Sequence, residues 1–153
     1  MSSRITPPTG PRRYNTALDE AMYGYESAVS RLDEADAVTV EVVRLRVARL
    51  HDCRRCQAVR FEAARDQGFD EDLSSGIDDY EHSGFPERLV VALRLVDTML
   101  LTPASVDPAL RGDLARHFTR AQVAHLLLAI TKFSVNKALV ALQIDAPLED
   151  GTT

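Results

Sequence analysis

The chain has 153 residues, of which 45% are hydrophobic and 27% charged, which excludes wholesale disorder and fits one domain able to bury a core without a disulfide or metal staple. A net charge of −5 argues against a nucleic-acid binder and against a polybasic membrane anchor. The most apolar stretch, 126–130, is far too short to span a bilayer, and residues 1–13 carry no apolar run of the secretory-signal type, so a reducing cytoplasm is the expected setting.

Residues 1–13, with three prolines, read as a mobile arm and 144–153 as an acidic, fraying tail, leaving one folded unit over 14–143. That unit carries a 3.6-residue apolar period and no strand-like alternation, which predicts an all-α bundle of about six helices. The first, over 14–32, has the stripe Leu18, Met22, Tyr25, Val29 and Leu32. An acidic break follows, and Asp36 is placed to N-cap a second helix over 37–50 with Val40, Val43, Val47 and Leu50 on its core face. His51-Asp52 forms a corner, after which a third helix is expected from Cys53 to Gln67, closed by Gly68. A polar loop over 70–84 contains room for a short helical turn. Pro86 opens a fourth helix ending near Thr102, and a short helix covers 107–117. Thr119 and Gln122 form the capping box of the last helix, 120–142, whose apolar interior predicts the buried centre of the bundle or an oligomer interface.

The chemistry-bearing feature is the pair Cys53-Arg54-Arg55-Cys56, which holds both cysteines of the chain. Haem attachment requires His after the second Cys, and Gln57 stands there. A four-ligand zinc site needs a second ligand pair; His51 supplies one more donor and His82 a remote fourth, which leaves metal binding through His51, Cys53 and Cys56 as a weaker reading. A thioredoxin site needs a βαβ context that this helical pattern lacks. What remains is a dithiol at a helix start, where unpaired N–H groups and the helix dipole favour the nucleophilic thiolate. Arg54 and Arg55 add fixed positive charge, which two small buried apolar residues would not require. Of the 18 Lys and Arg residues only Lys132 and Lys137 are lysines, a skew read mainly as bland composition.

Two further residues stand near the pair. Glu41 projects from the second helix between Ala48 and Leu45 rather than on the polar arc of Arg46 and Arg49. An acid there is either a functional group or the partner of Arg44, three residues on. Arg60 follows Cys56 by four residues and, on one continuous helix, shares its face, able to hold a thiolate or pair with Glu41. His82 and His117 read as surface residues, His125 as a hydrogen-bonded core or interface residue, and His51 as an exposed corner residue and substitute base. Asn136 and Lys137 read as a polar contact of the bundle without chemistry of their own.

The spacing Glu41, eleven residues, Cys53-x-x-Cys56, then Ala64 and Gly68 resembles the carboxymuconolactone decarboxylase family, specifically its alkylhydroperoxidase AhpD-like branch. The likeness extends to the helix after Pro86, the turn at His117 to Thr119 and the last helix with Asn136, covering about 14–143. It implies a helical, homo-oligomeric thiol peroxidase or disulfide reductase acting on a small peroxide, reduced by a lipoyl-type dithiol protein, with no cofactor and no metal. It assigns peroxide attack to Cys56, resolution to Cys53 and the base to Glu41. Peroxidase members of the branch carry a relay His where this chain has Arg60, and Arg has no acceptor and does not deprotonate. The Cys56 thiol must then lose its proton to Glu41 through water or already be a thiolate, held by Arg54, Arg55 and Arg60. The alternative function is a degenerate member kept as a binding or redox-sensing protein.

Overall fold

The computed structural model describes residues 16–141. The arm, the tail and the outer ends of the first and last expected helices lie outside them. The described residues form eight α-helices and one 3₁₀ turn, with no strand. In chain order they are α1 (Thr16–Val29), α2 (Ala37–Leu50), α3 (Arg54–Ala58), α4 (Glu62–Asp66), α5 (Glu71–Gly76), the turn Ile77–Asp79, α6 (Glu87–Leu101), α7 (Pro108–His117) and α8 (Arg120–Ala141). The expected all-α class is therefore observed, with more and shorter helices than the period predicts.

The helix starts follow their local chemistry. The Asp36 carboxylate accepts from the Thr39 N–H at 2.8 Å and caps α2. Thr119 and Gln122 close the expected capping box of α8, with the Thr119 N–H on Gln122 Oε1 at 2.9 Å and the Gln122 N–H on Thr119 Oγ1 at 3.2 Å. Asp70 caps α5, the helical turn expected in the polar loop. Gly68, at φ +95°, ends α4 in a Schellman arrangement in which Phe69 N–H reaches the Ala64 carbonyl.

The expected third helix is broken. Val59 and Phe61 are extended, so α3 and α4 are two five-residue helices. The break leaves carbonyls at the end of α3 without helical partners, and two guanidinium groups take them. Arg44 donates to Cys56 O at 2.7 Å and Val59 O at 2.5 Å, while Arg60 donates to Gln57 O and Val59 O. The same break turns the Phe61 ring inward against Arg44, 4.6 Å away, and Phe133, 6.4 Å away.

The centre of the bundle is α2 rather than α8, whose composition predicts either that place or an oligomer interface. Glu41, Val42, Val43, Leu45, Val47 and Ala48 of α2 are fully buried, whereas Leu128 of α8 is 41% exposed. Val43 and Val47 pack with Val91, Val96, Leu126 and Ile130 into one apolar cluster. On the other flank Val42 and Leu45 pack with Ile77, Leu93 and Phe69. Complete burial of one Leu or Val stabilises by roughly 1.5–3 kcal/mol, so the two-sided burial of α2 anchors the fold. The α1 stripe is buried only at its end: Val29 is enclosed while Leu18 is half-exposed. Among the described residues no helix is long and apolar enough to cross a membrane.

One close approach tests this packing. A Cβ on Gly76 would lie 2.7 Å from the Phe85 ring and 2.9 Å from Ser83 Oγ, whose hydroxyl bonds the Gly76 carbonyl. Gly76→Ala is expected to cost about 1–3 kcal/mol, read as a lower urea midpoint at unchanged slope.

Candidate functional site

The cysteine pair is placed by the end of α2. His51 caps the helix, Asp52 adopts φ 46°, and Cys53 N–H returns to the Ala48 carbonyl at 2.9 Å while Asp52 N–H reaches Arg49. This is a Schellman ending with Asp in the left-handed position, one of the few side chains that adopts it routinely. Cys53 is thereby delivered against the core, 4% exposed, at the mouth of α3. Cys56 follows one turn later, half-buried, and the two are joined as a disulfide with Cα atoms 5.3 Å apart. Cys56 is the more accessible residue of the two.

Glu41 and Arg44 form a buried clamp beneath this loop. Arg44 Nε donates to Glu41 Oε2 at 2.7 Å and Nη2 to Oε1 at 2.8 Å, with side-chain exposures of 4% and 0%. Glu41 Oε1 also accepts from the Phe61 N–H at 3.2 Å. The pairing of Glu41 with Arg44 that the three-residue spacing offered is present. The clamp ties α2 to both sides of the α3–α4 break, because Arg44 holds Cys56 O and Val59 O with two of its three remaining N–H groups.

Arg60 does not join the sulfurs. It makes a two-point pair with Glu71 at 3.0 and 2.9 Å and donates to Ser74 Oγ at 2.9 Å. The expectation that it shares a helix face with Cys56 fails because the helix ends at Ala58. Its hydrogen bonds, and then its charge, hold the Glu71 carboxyl below its ordinary range. Arg54 and Arg55 are exposed, and no ion pair engages either among the described residues. The five-residue α3 carries only a small dipole, so less anion stabilisation comes from the helix start than a long helix would supply.

His51 is half-buried rather than exposed, with Nε2 2.8 Å from Ser134 Oγ of α8. Burial, and then the charge of Lys137, lower its pKa, so it is neutral near pH 7. With His51 on Ser134 and the sulfurs joined to each other, the His51, Cys53 and Cys56 metal set is not assembled. His82 pairs with Asp79 on the surface. His125 is the buried, hydrogen-bonded core residue expected, accepting from the Ala35 N–H at 3.1 Å.

Lys137 is the residue whose place sequence reasoning missed. It is 3% exposed, its Nζ donates to the Phe133 carbonyl at 3.4 Å, and it lies 4.6 Å from the Phe133 ring centre. Burial first, then the Arg44 and Lys132 charges, push its pKa down to about 7, with Glu41 opposing. The available signal was its position on an apolar helix, where one of the chain's two lysines cannot reach water easily. The open cleft of about 590 Å³ between α6 and α7, lined by Tyr80, Arg94, Asp97 and Asp113 among others, includes neither cysteine.

No family model matches the chain. An uncharacterized protein of Mycobacterium tuberculosis strain CDC 1551 and one of strain H37Rv are each 35% identical to it over 149 residues, 94% of this chain and 52% of theirs. The chain thus spans about half the length of the curated relatives it matches.

Proposed function

We propose that the chain is a dithiol–disulfide oxidoreductase acting as a thiol-dependent peroxidase. One observation supports the reading: Cys53 and Cys56 close a disulfide across a single turn, with Cys53 in the core and Cys56 nearer solvent. The Glu-to-Cys spacing that resembles the AhpD-like branch supports it. In the reaction the Cys56 thiolate attacks the peroxide oxygen, the O–O bond breaks, and an alcohol leaves with a proton, giving a sulfenic acid. Cys53 then attacks that sulfur, water departs, and the disulfide forms. A dithiol protein supplies two electrons and two protons to reopen it by exchange. A reducing cytoplasm and a self-associating chain belong to the same reading; the exposed α8 face with Ala121, Ala124 and Leu128 supports the latter.

Cys56→Ser is expected to reduce peroxide consumption, driven by a small dithiol, to the background rate. Equal rates for both proteins would overturn the peroxidase reading. The fixing of Arg60 on Glu71 favours a second reading, a slow redox sensor without efficient turnover. A gain of peroxidase rate in Arg60→His would support it.

A further inference from the structure

Both cysteines are fastened to α2 independently of the bond between their sulfurs. The Cys53 N–H donates to the Ala48 carbonyl in the last turn of α2 at 2.9 Å, and the Cys53 carbonyl accepts from the Gln57 N–H at 3.0 Å. Cys56 is held by a side chain of the same helix, Arg44, whose Nη1 donates to Cys56 O at 2.7 Å. In a continuous helix that carbonyl would accept from the Arg60 N–H, but the chain turns extended at Val59. Among the described residues Arg44 is the one donor that reaches it. Arg44 is itself fixed, because the two Glu41 carboxylate oxygens take Nε and Nη2 at 2.7 and 2.8 Å, and a planar guanidinium then aims Nη1 in one direction. The pair is buried, with side-chain exposures of 4% and 0%. Contacts that reduction does not break therefore set the two Cα atoms 5.3 Å apart, a spacing suited to a disulfide.

We propose that Arg44 is a positioning residue of the cysteine pair: by holding Cys56 O from α2 it keeps Cys56 facing Cys53 after reduction, so that the disulfide re-forms quickly and is hard to reduce. This role rests on the dithiol reading of the site and deepens it. With both backbones held, rotation of the two side chains is what parts the sulfurs once their bond is open. Freeing the backbone of one residue multiplies its states about five- to thirtyfold, and the effective concentration of one thiol at the other falls by the same order. Two reactions depend on that concentration. In reduction a dithiol delivers two electrons and two protons, the S–S bond breaks, and the reductant leaves as its own disulfide; loss of Arg44 shifts this equilibrium towards the reduced pair. In peroxide turnover the Cys56 sulfenic acid has two fates. The Cys53 thiol attacks it, the S–S bond forms and water leaves, or a second peroxide transfers one oxygen to the sulfur and departs as an alcohol. Arg44 favours the first fate and so protects Cys56 from irreversible sulfinic acid.

The test equilibrates the full chain with graded ratios of dithiothreitol to its disulfide near neutral pH and counts free thiols; the mass of the Cys56 peptide is then followed during peroxide addition. Arg44→Lys keeps a cation beside Glu41 but lacks the fork that spans Glu41 and Cys56 O together. It is expected to be half-reduced at a ratio about tenfold lower than the wild type. It is also expected to accumulate Cys56 carrying two added oxygens where the wild type stops at the disulfide. Glu41→Leu with Arg44→Met removes both charges, leaves no buried ion unpaired, and is expected to shift the ratio in the same direction, so the test survives a poorly folding Arg44→Lys. Gly76→Ala lowers stability away from the pair and is expected to leave the ratio unchanged, which separates positioning from loss of stability. An unshifted ratio in the double variant would overturn the proposal, as would an equal shift in Gly76→Ala. Failure of the dithiol reading is separate: the variants would shift as proposed, yet peroxide would not convert the wild-type thiols to the disulfide.

Discussion

Glu41→Gln is expected to lower the stability of the oxidised protein by about 3–5 kcal/mol, a large part of the total for a domain of this size. The substitution preserves shape and one acceptor, but it strands the Arg44 guanidinium in a site where its side chain is 4% exposed. A buried cation that has lost its anion is far worse than a buried pair, since its desolvation is no longer offset. The damage also spreads along the clamp. Phe61 N–H loses a charged acceptor, and Arg44, which secures Cys56 O and Val59 O, loses the group that orients it. Glu41→Leu with Arg44→Met removes both charges together and is expected to recover part of the loss. Recovery stays incomplete because Cys56 O then loses its Arg44 donor and Val59 O keeps only the one from Arg60. Denaturant titration of the three proteins measures this; a loss below about 1 kcal/mol in Glu41→Gln would contradict the clamp. The outcome also separates the two readings of Glu41, since a base held only for proton transfer would abolish turnover and leave stability nearly intact.

What was legible in the sequence was local. Asp36 before α2, Thr119 and Gln122 at α8 and Gly68 after α4 satisfy backbone groups within a few residues of themselves, so spacing alone identifies them. The cysteine pair was legible for the same reason. The break between α3 and α4 was not, because 53–67 contains neither Gly nor Pro and its helical period is unbroken. The break depends on Arg44, which comes from the preceding helix, and on burial of Phe61 against α8. The centrality of α2 was hidden by its charges. Glu41, Arg44, Arg46 and Arg49 make it read as a half-solvated helix, yet each finds its partner inside the protein. Arg46 pairs with Asp97 at 2.8 Å and Arg49 reaches the Ser74 carbonyl at 2.6 Å. Binary patterning assigns charge to water; only tertiary structure reveals a charge that is balanced within. For α8 the apolar pattern left a buried centre and an interface face both open, and apolar residues such as Leu128 remain exposed.

Lys137→Met is expected to stabilise the oxidised protein by on the order of 3 kcal/mol at pH 7 and below, and to lose this advantage towards pH 10. Met fills the stem volume of Lys and carries no charge to desolvate. In the wild type the folded-state pKa, about 7, lies below the ordinary lysine value of 10.5 that the unfolded chain retains. Between those values the unfolded chain binds a proton that the folded one does not, so wild-type stability rises with pH across that window. Below about pH 7 both states are protonated and the full cost of the buried ammonium persists; above about 10.5 neither is. Burial also lowers His125, which is common to both proteins and cancels in their difference, whereas His51, lowered in part by the Lys137 charge, titrates below the window in which Lys137 acts. Denaturation midpoints at several pH values therefore isolate Lys137, and a pH-independent difference would show that its charge is not the cause.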